Sequence, residues 1–69
     1  MKLKEFRTQV ALLTQKQLAE IAGVAESTIY LIEKGKPFNQ LTKGRVLSGL
    51  TKHLGRTVQA QEIDEFSER

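Results

Sequence analysis

Sixty-nine residues are enough for one domain, and a chain of this size buries only about 60% of its unfolded surface, so its core is small. It has no cysteine, which excludes disulfide staples and thiolate metal sites, and no apolar run long enough to span a bilayer or to form a signal core behind the N-terminal lysines. The net charge of +3 hides an asymmetry: residues 1–60 hold ten Lys/Arg against four Asp/Glu, giving +6, whereas residues 61–69 hold four acids against Arg69, giving −3.

A basic body with an acidic end suits a polyanionic partner, because each phosphate neutralised releases counterions. It is equally what a solvated surface with a chance imbalance would show. The expected setting is the cytoplasm, with no membrane involvement.

Apolar positions recur at helical spacing, and the β-branched clusters of strands are missing. A first helix is expected over about Lys2 to Ala11, with Leu3, Phe6 and Val10 on one face. Thr14 with Gln17 three residues on forms a capping-box pattern that opens a second helix. Its inward face is Leu18, Ile21 and Ala22, with Ala19 beside them, and Gly23 stands where a left-handed terminator is needed. A third helix covers about Glu26 to Lys34, anchored by Ile29 and Ile32 with Ala25 turned inward, and Gly35 stops it. Pro37 makes Lys36 to Gln40 a loop. Thr42 is expected to cap a fourth helix bearing Val46, Leu47, Leu50 and Leu54, which Gly55 ends. Val58 and Ile63 would fold back through a brief last turn. The domain is thus expected over residues 1–66, with 67–69 a disordered tail.

Thr14 to Gly35 carries the function. Two short helices joined by a turn of roughly three to four residues containing Gly form a helix-turn-helix, whose second helix enters the major groove. At about 100° per residue, Ile29 and Ile32 point inward while Ser27, Leu31 and Lys34 point outward, flanked by Thr28 and Tyr30. Such a face suits base edges and phosphates. Leu31 is unexplained in a free monomer, and contact with a thymine methyl would explain it.

The stretch Leu13 to Gly35, LTQKQLAEIAGVAESTIYLIEKG, resembles the core pattern of the Cro/C1-type (XRE-like) helix-turn-helix family. The resemblance implies a compact, all-α domain of four to five helices and lambda-repressor-like type that binds double-stranded DNA. Carried over by position, Glu26, Ser27, Thr28 and Leu31 fall where the family reads bases. Tyr30, Lys34, Lys36 and Asn39 fall where it grips the backbone, and Lys43 is a further phosphate candidate. Gln15 and Gln17 would touch phosphate or brace the recognition helix.

Three departures stand out. Ala25 replaces the usual Ser or Thr at the recognition-helix N-cap, and if Ser27 took the cap instead, the base-reading positions would shift. The family often pairs a helix-one arginine with the glutamate at Glu33; Arg7 is the nearest candidate, one residue off the usual spacing to Leu13. The stretch Pro37 to Leu41 runs longer than the commonest family loop.

Several residues keep two readings. Glu26 either accepts from a cytosine amino group or favours the positive end of the third helix. Tyr30 bonds phosphate or covers the junction of the first two helices, and the acidic end pairs with a neighbouring subunit or is solvated. His53 is the only histidine and Asp64 the only aspartate, which leaves no triad, metal set or cofactor loop. No enzymatic activity is expected.

The resulting expectation is a sequence-specific transcriptional regulator. Repression is favoured because a lone domain has little surface left to recruit polymerase, and a phage, mobile-element or antitoxin setting fits. It would act as a homodimer through the fourth helix onward, including Val58, Ile63 and Phe66, with a toxin or other regulatory protein as a possible partner. The rival is an interaction module that keeps the fold and docks on protein through the third helix.

Overall fold

The computed structural model describes residues 1–67, and no strand occurs among them. Four helices are present: α1 (Leu3–Glu5), α2 (Gln15–Ala22), α3 (Glu26–Glu33) and α4 (Gln40–Leu54), with a 3₁₀ turn over Ala60–Glu62. The arrangement follows from one core. Leu3, Phe6, Leu18, Ile29, Ile32, Val46, Leu50, Val58, Ile63 and Phe66 are all buried in it.

The first helix does not stay α-helical. After Glu5 the chain widens into a π-helical segment, Phe6–Val10, in which Ala11 N–H donates to the Phe6 carbonyl at 2.9 Å. A π turn holds one more residue than an α turn. Leu12 then takes the left-handed conformation at φ 58°, and Leu13 N–H reaches back to the Arg7 carbonyl at 2.9 Å. A leucine there costs about 1–2 kcal/mol that glycine avoids, and Leu12 is 75% exposed, so its side chain contributes little packing. Leu12→Gly is therefore expected to stabilise the domain by about 1 kcal/mol, a rise of roughly 4–8 °C in Tm. A melting curve with an unchanged or lower Tm would show that Leu12 holds no strain.

The expected signals of α2 act as read. Thr14 Oγ1 accepts from Gln17 N–H at 3.1 Å while Gln17 Oε1 accepts from Thr14 N–H at 2.9 Å. Gly23 terminates the helix at φ 73°, and Val24 N–H donates to the Ala19 carbonyl. Ile21 is corrected: it is 41% exposed, whereas Leu18, Ala19 and Ala22 are buried. At about 100° per residue Ile21 lies at the edge of the face that Leu18, Ala19 and Ala22 share. Helix α4 packs on the Ala22 side, where a Cβ at Gly49 would sit 3.0 Å from the Ile21 carbonyl and 3.1 Å from Ala22 Cα. The α4 backbone takes the place at which larger side chains would separate the helices, so Ala22 faces α4 and Ile21 turns to its edge, beside exposed Leu41.

Two further expectations change. The cap of α4 is Asn39, not Thr42: Asn39 Oδ1 accepts from Thr42 N–H at 2.8 Å, and the helix starts two residues before Thr42. Asparagine caps at least as well as threonine, so the earlier residue takes the role. Ala25 is exposed rather than inward, since it precedes the first helical residue of α3. Gly35 and Gly55 do end α3 and α4 in left-handed conformations, at φ 83° and 71°.

The C-terminal segment is built into the fold. Met1 ammonium donates to Asp64 at 2.9 Å, Asp64 N–H donates to the Met1 carbonyl at 2.7 Å, and Leu3 N–H donates to the Glu65 carboxylate at 2.7 Å. The last of these satisfies a donor that the first turn of α1 leaves open. Val58, Ile63 and Phe66 are 4%, 0% and 1% exposed, so the dimer surface expected from them is corrected: they are core. Phe66 meets Phe38 edge to face, with ring centroids 5.1 Å apart. Arg56 forks onto Glu62 at 3.1 and 3.2 Å. This bond, with that from Gln59 N–H, holds the Glu62 carboxyl below the usual carboxylate range. A lowered folded value stabilises the last turn at neutral pH, and that contribution fades as pH falls through it. Ser67 N–H bonds the Ile63 carbonyl at 2.9 Å, and the remainder of the expected tail lies outside the described residues.

Candidate nucleic-acid interface

The helix-turn-helix is α2, the turn Gly23 to Ala25, and α3. Its geometry begins with Ala25, which is the N-cap of α3 and makes no side-chain cap bond. Thr28 N–H closes on the Ala25 carbonyl at 3.0 Å instead. Ser27 is therefore inside the helix and not its cap, so α3 starts at Glu26. Glu26 and Ser27 are exposed in the first turn, Thr28 is half-buried, and Leu31 is 45% exposed. On the other side of the helix Ile29 and Ile32 are fully within the core.

The helix is held from behind by a buried polar cluster. Arg7 Nε donates to Glu33 Oε2 at 2.6 Å and Nη2 to Glu33 Oε1 at 3.2 Å, while Nη1 donates to the Leu13 carbonyl at 3.0 Å. Gln15 Nε2 adds a bond to Glu33 Oε1 at 2.9 Å. The side chains of Arg7 and Glu33 are 8% and 7% exposed. One carboxylate on α3 thus ties together the N-terminal helix, the start of α2 and the recognition helix. The pairing forms although Arg7 is one residue off the common spacing, because the π-helical segment takes up the extra residue. Arg45, not singled out from the sequence, fixes the turn itself by donating from Nη1 to the Gly23 carbonyl at 3.1 Å.

These bonds sort the expected phosphate ligands. Gln15 braces α3 through Glu33 and Gln17 sits in the capping box, so both have internal partners. Asn39 spends its carbonyl oxygen on the α4 cap. Lys43 is half-buried beside that cap. Tyr30, Lys34 and Lys36 are exposed at the C-terminal end of α3, with Lys34 Nζ 5.4 Å from the Tyr30 ring centroid, within cation–π range. The structure adds Lys4, which lines the same recess as Gln15, Tyr30 and Lys34. Nothing in the sequence points to Lys4, because its neighbours come from α2 and α3 and only the fold brings them together.

His53 lies away from this face, with Nε2 2.9 Å from the Ala11 carbonyl. Among the described residues no group of three or more His, Cys, Asp or Glu is placed to hold a metal ion, and no helix is long and apolar enough to cross a membrane.

A helix-turn-helix family model matches residues 3–59, which spans the π-helical segment, the helix-turn-helix and all of α4. No match was found among curated proteins or among solved structures. The match covers most of the chain and coincides with the braced α2–α3 pair, so the chain belongs to the Cro/C1-type helix-turn-helix family of DNA-binding regulators.

Proposed function

We propose that this domain is a sequence-specific transcriptional repressor that places α3 in the major groove of an operator. The observation that carries the reading is the two-sided character of α3. Ile29 and Ile32 are buried and Glu33 is clamped, while Ser27, Leu31, Tyr30 and Lys34 face outward. A helix fixed on one side and offered on the other is what base readout needs, because phosphate contacts position the protein and base contacts specify the sequence. Ser27, Thr28, Leu31 and Glu26 would meet base edges. Tyr30, Lys34, Lys36, Asn39 and Lys43 would meet the backbone, with Lys4 extending that line.

The eight residues of α3 are about 12 Å long and span only three or four base pairs at roughly 3.4 Å each. One copy therefore reads too short a sequence to define an operator. Two copies on half-sites one helical turn apart would double the address, and repression would follow from occlusion of the promoter. A protein partner in place of DNA is favoured only by the exposure of Leu31 and of the Glu26 carboxylate on α3.

Selection from a random double-stranded DNA pool at two salt concentrations separates these readings. The expected result is an enriched palindrome whose retention collapses at the higher salt. A folded sample that enriches no sequence at either salt would transfer α3 to a protein ligand. On the selected operator, Lys36→Ala should weaken binding to all sequences alike and reduce the slope of log K against log salt by about one. An unchanged slope would remove Lys36 from the phosphate contacts.

A further inference from the structure

The loop between α3 and α4 does more than connect. With α3 it encloses a recess lined by Thr28 and Leu31 from the helix, Pro37 and Phe38 from the loop, and Asn39 and Thr42 from the start of α4. One hydrogen bond already ties the loop side to the start of α4, Asn39 Oδ1 accepting from the Thr42 backbone N–H. The walls facing Leu31 are a proline ring and a half-buried phenylalanine held edge-on by Phe66. Leu31, Ile32, Pro37 and Phe38 give the recess one apolar side while Thr28, Asn39 and Thr42 line the other, and it opens beside the positions that would read bases.

We propose that this recess receives the C5-methyl group of one thymine per half-site, so that Pro37 and Phe38 of the loop select sequence together with Leu31 of the recognition helix. This rests on the DNA-binding reading above. The ligand chemistry follows from the groove: of the groups that unmodified base pairs present on the major-groove edge, the thymine methyl is the apolar one. Leu31 is 45% exposed and large, and alone it would offer a methyl group one side of contact. The loop supplies the opposite wall. The loop before Asn39 thereby has a use, since Pro37 and Phe38 set an apolar surface across from α3 before Asn39 caps α4.

The test uses the selected operator with each thymine replaced singly by deoxyuridine, which removes one methyl group and leaves base pairing intact. The wild-type protein is expected to lose about fourfold in affinity at one thymine of each half-site, the effect of burying a single methyl group. In Leu31→Ala that loss should shrink below twofold, with binding to the uracil operator otherwise kept. Pro37→Ala should narrow it in the same direction, which a merely structural leucine would not produce. An operator that is bound with no thymine sensitive to its methyl group overturns the recess. So does a sensitive thymine whose fourfold loss persists in Leu31→Ala. If the wild-type protein selects no DNA at all, both this inference and the function beneath it fall.

Discussion

Glu33→Ala is expected to lower the unfolding free energy by about 3–5 kcal/mol, the usual cost of removing one partner from a buried ion pair. Arg7 would be left with a buried guanidinium whose remaining acceptor among the described residues is the Leu13 carbonyl, and the Gln15 amide would lose its bond to Glu33 as well. Stability of roughly 0.05–0.15 kcal/mol per residue is typical, so a chain this short would lose a large part of its margin. Urea unfolding of Glu33→Ala, Arg7→Ala and the double variant checks the account. The double variant should lose much less than the two single losses added, because removing both charges leaves none unpaired. Strictly additive losses would show that the two side chains do not act as a unit. Replacing the pair with apolar residues of similar volume, Arg7→Met with Glu33→Leu, should recover most of the stability. The ion pair would then be a device for holding α3 in register more than a source of net stability.

What could be read before the structure divides by the range of the interaction. The Thr14–Gln17 box, the glycine stops at Gly23, Gly35 and Gly55, and the Ile29/Ile32 anchors depend on residues within a turn or two, and all were legible. Asn39 is a local signal as well, but Pro37 drew the whole stretch into the loop and moved the helix start to Thr42. Helical periodicity puts Ile21 inward because it says which residues share a face and not which part of that face the neighbouring helix covers. The cover comes from α4, which the missing Cβ of Gly49, twenty-eight residues later, lets approach Ala22. The π-helical segment has no sequence signature at all, so Arg7 looked one residue out of place although its guanidinium reaches Glu33. The outward residues of α3 were legible from helical spacing. The recess beside Leu31 was not, because its far wall comes from a loop whose path no periodicity describes.

Phe66 shows how much depends on that long range. An aromatic residue near the end of a short, acidic segment reads as exposed and in need of a partner, yet Phe66 is 1% exposed and packs on Phe38. Phe66→Ala is therefore expected to cost about 3–5 kcal/mol of monomer stability. Part of that is an aromatic pair worth about 0.5–1.5 kcal/mol beyond its buried area. The loss should be the same at any protein concentration, because it arises within one chain. A residue at a dimer surface would behave otherwise: it would leave the stability of the monomer untouched and weaken association, so that its effect varied with concentration. Denaturant midpoints measured at two concentrations a hundredfold apart distinguish the cases. An unchanged midpoint at the lower concentration would show that Phe66 is not core. If the expected loss is found, the acidic residues around it gain a role that their charge did not suggest. Asp64 and Glu65 bind the first residues of the chain. They thereby help hold down the segment that buries Phe66, and Phe66 in turn supports Phe38, on the wall of the recess beside α3.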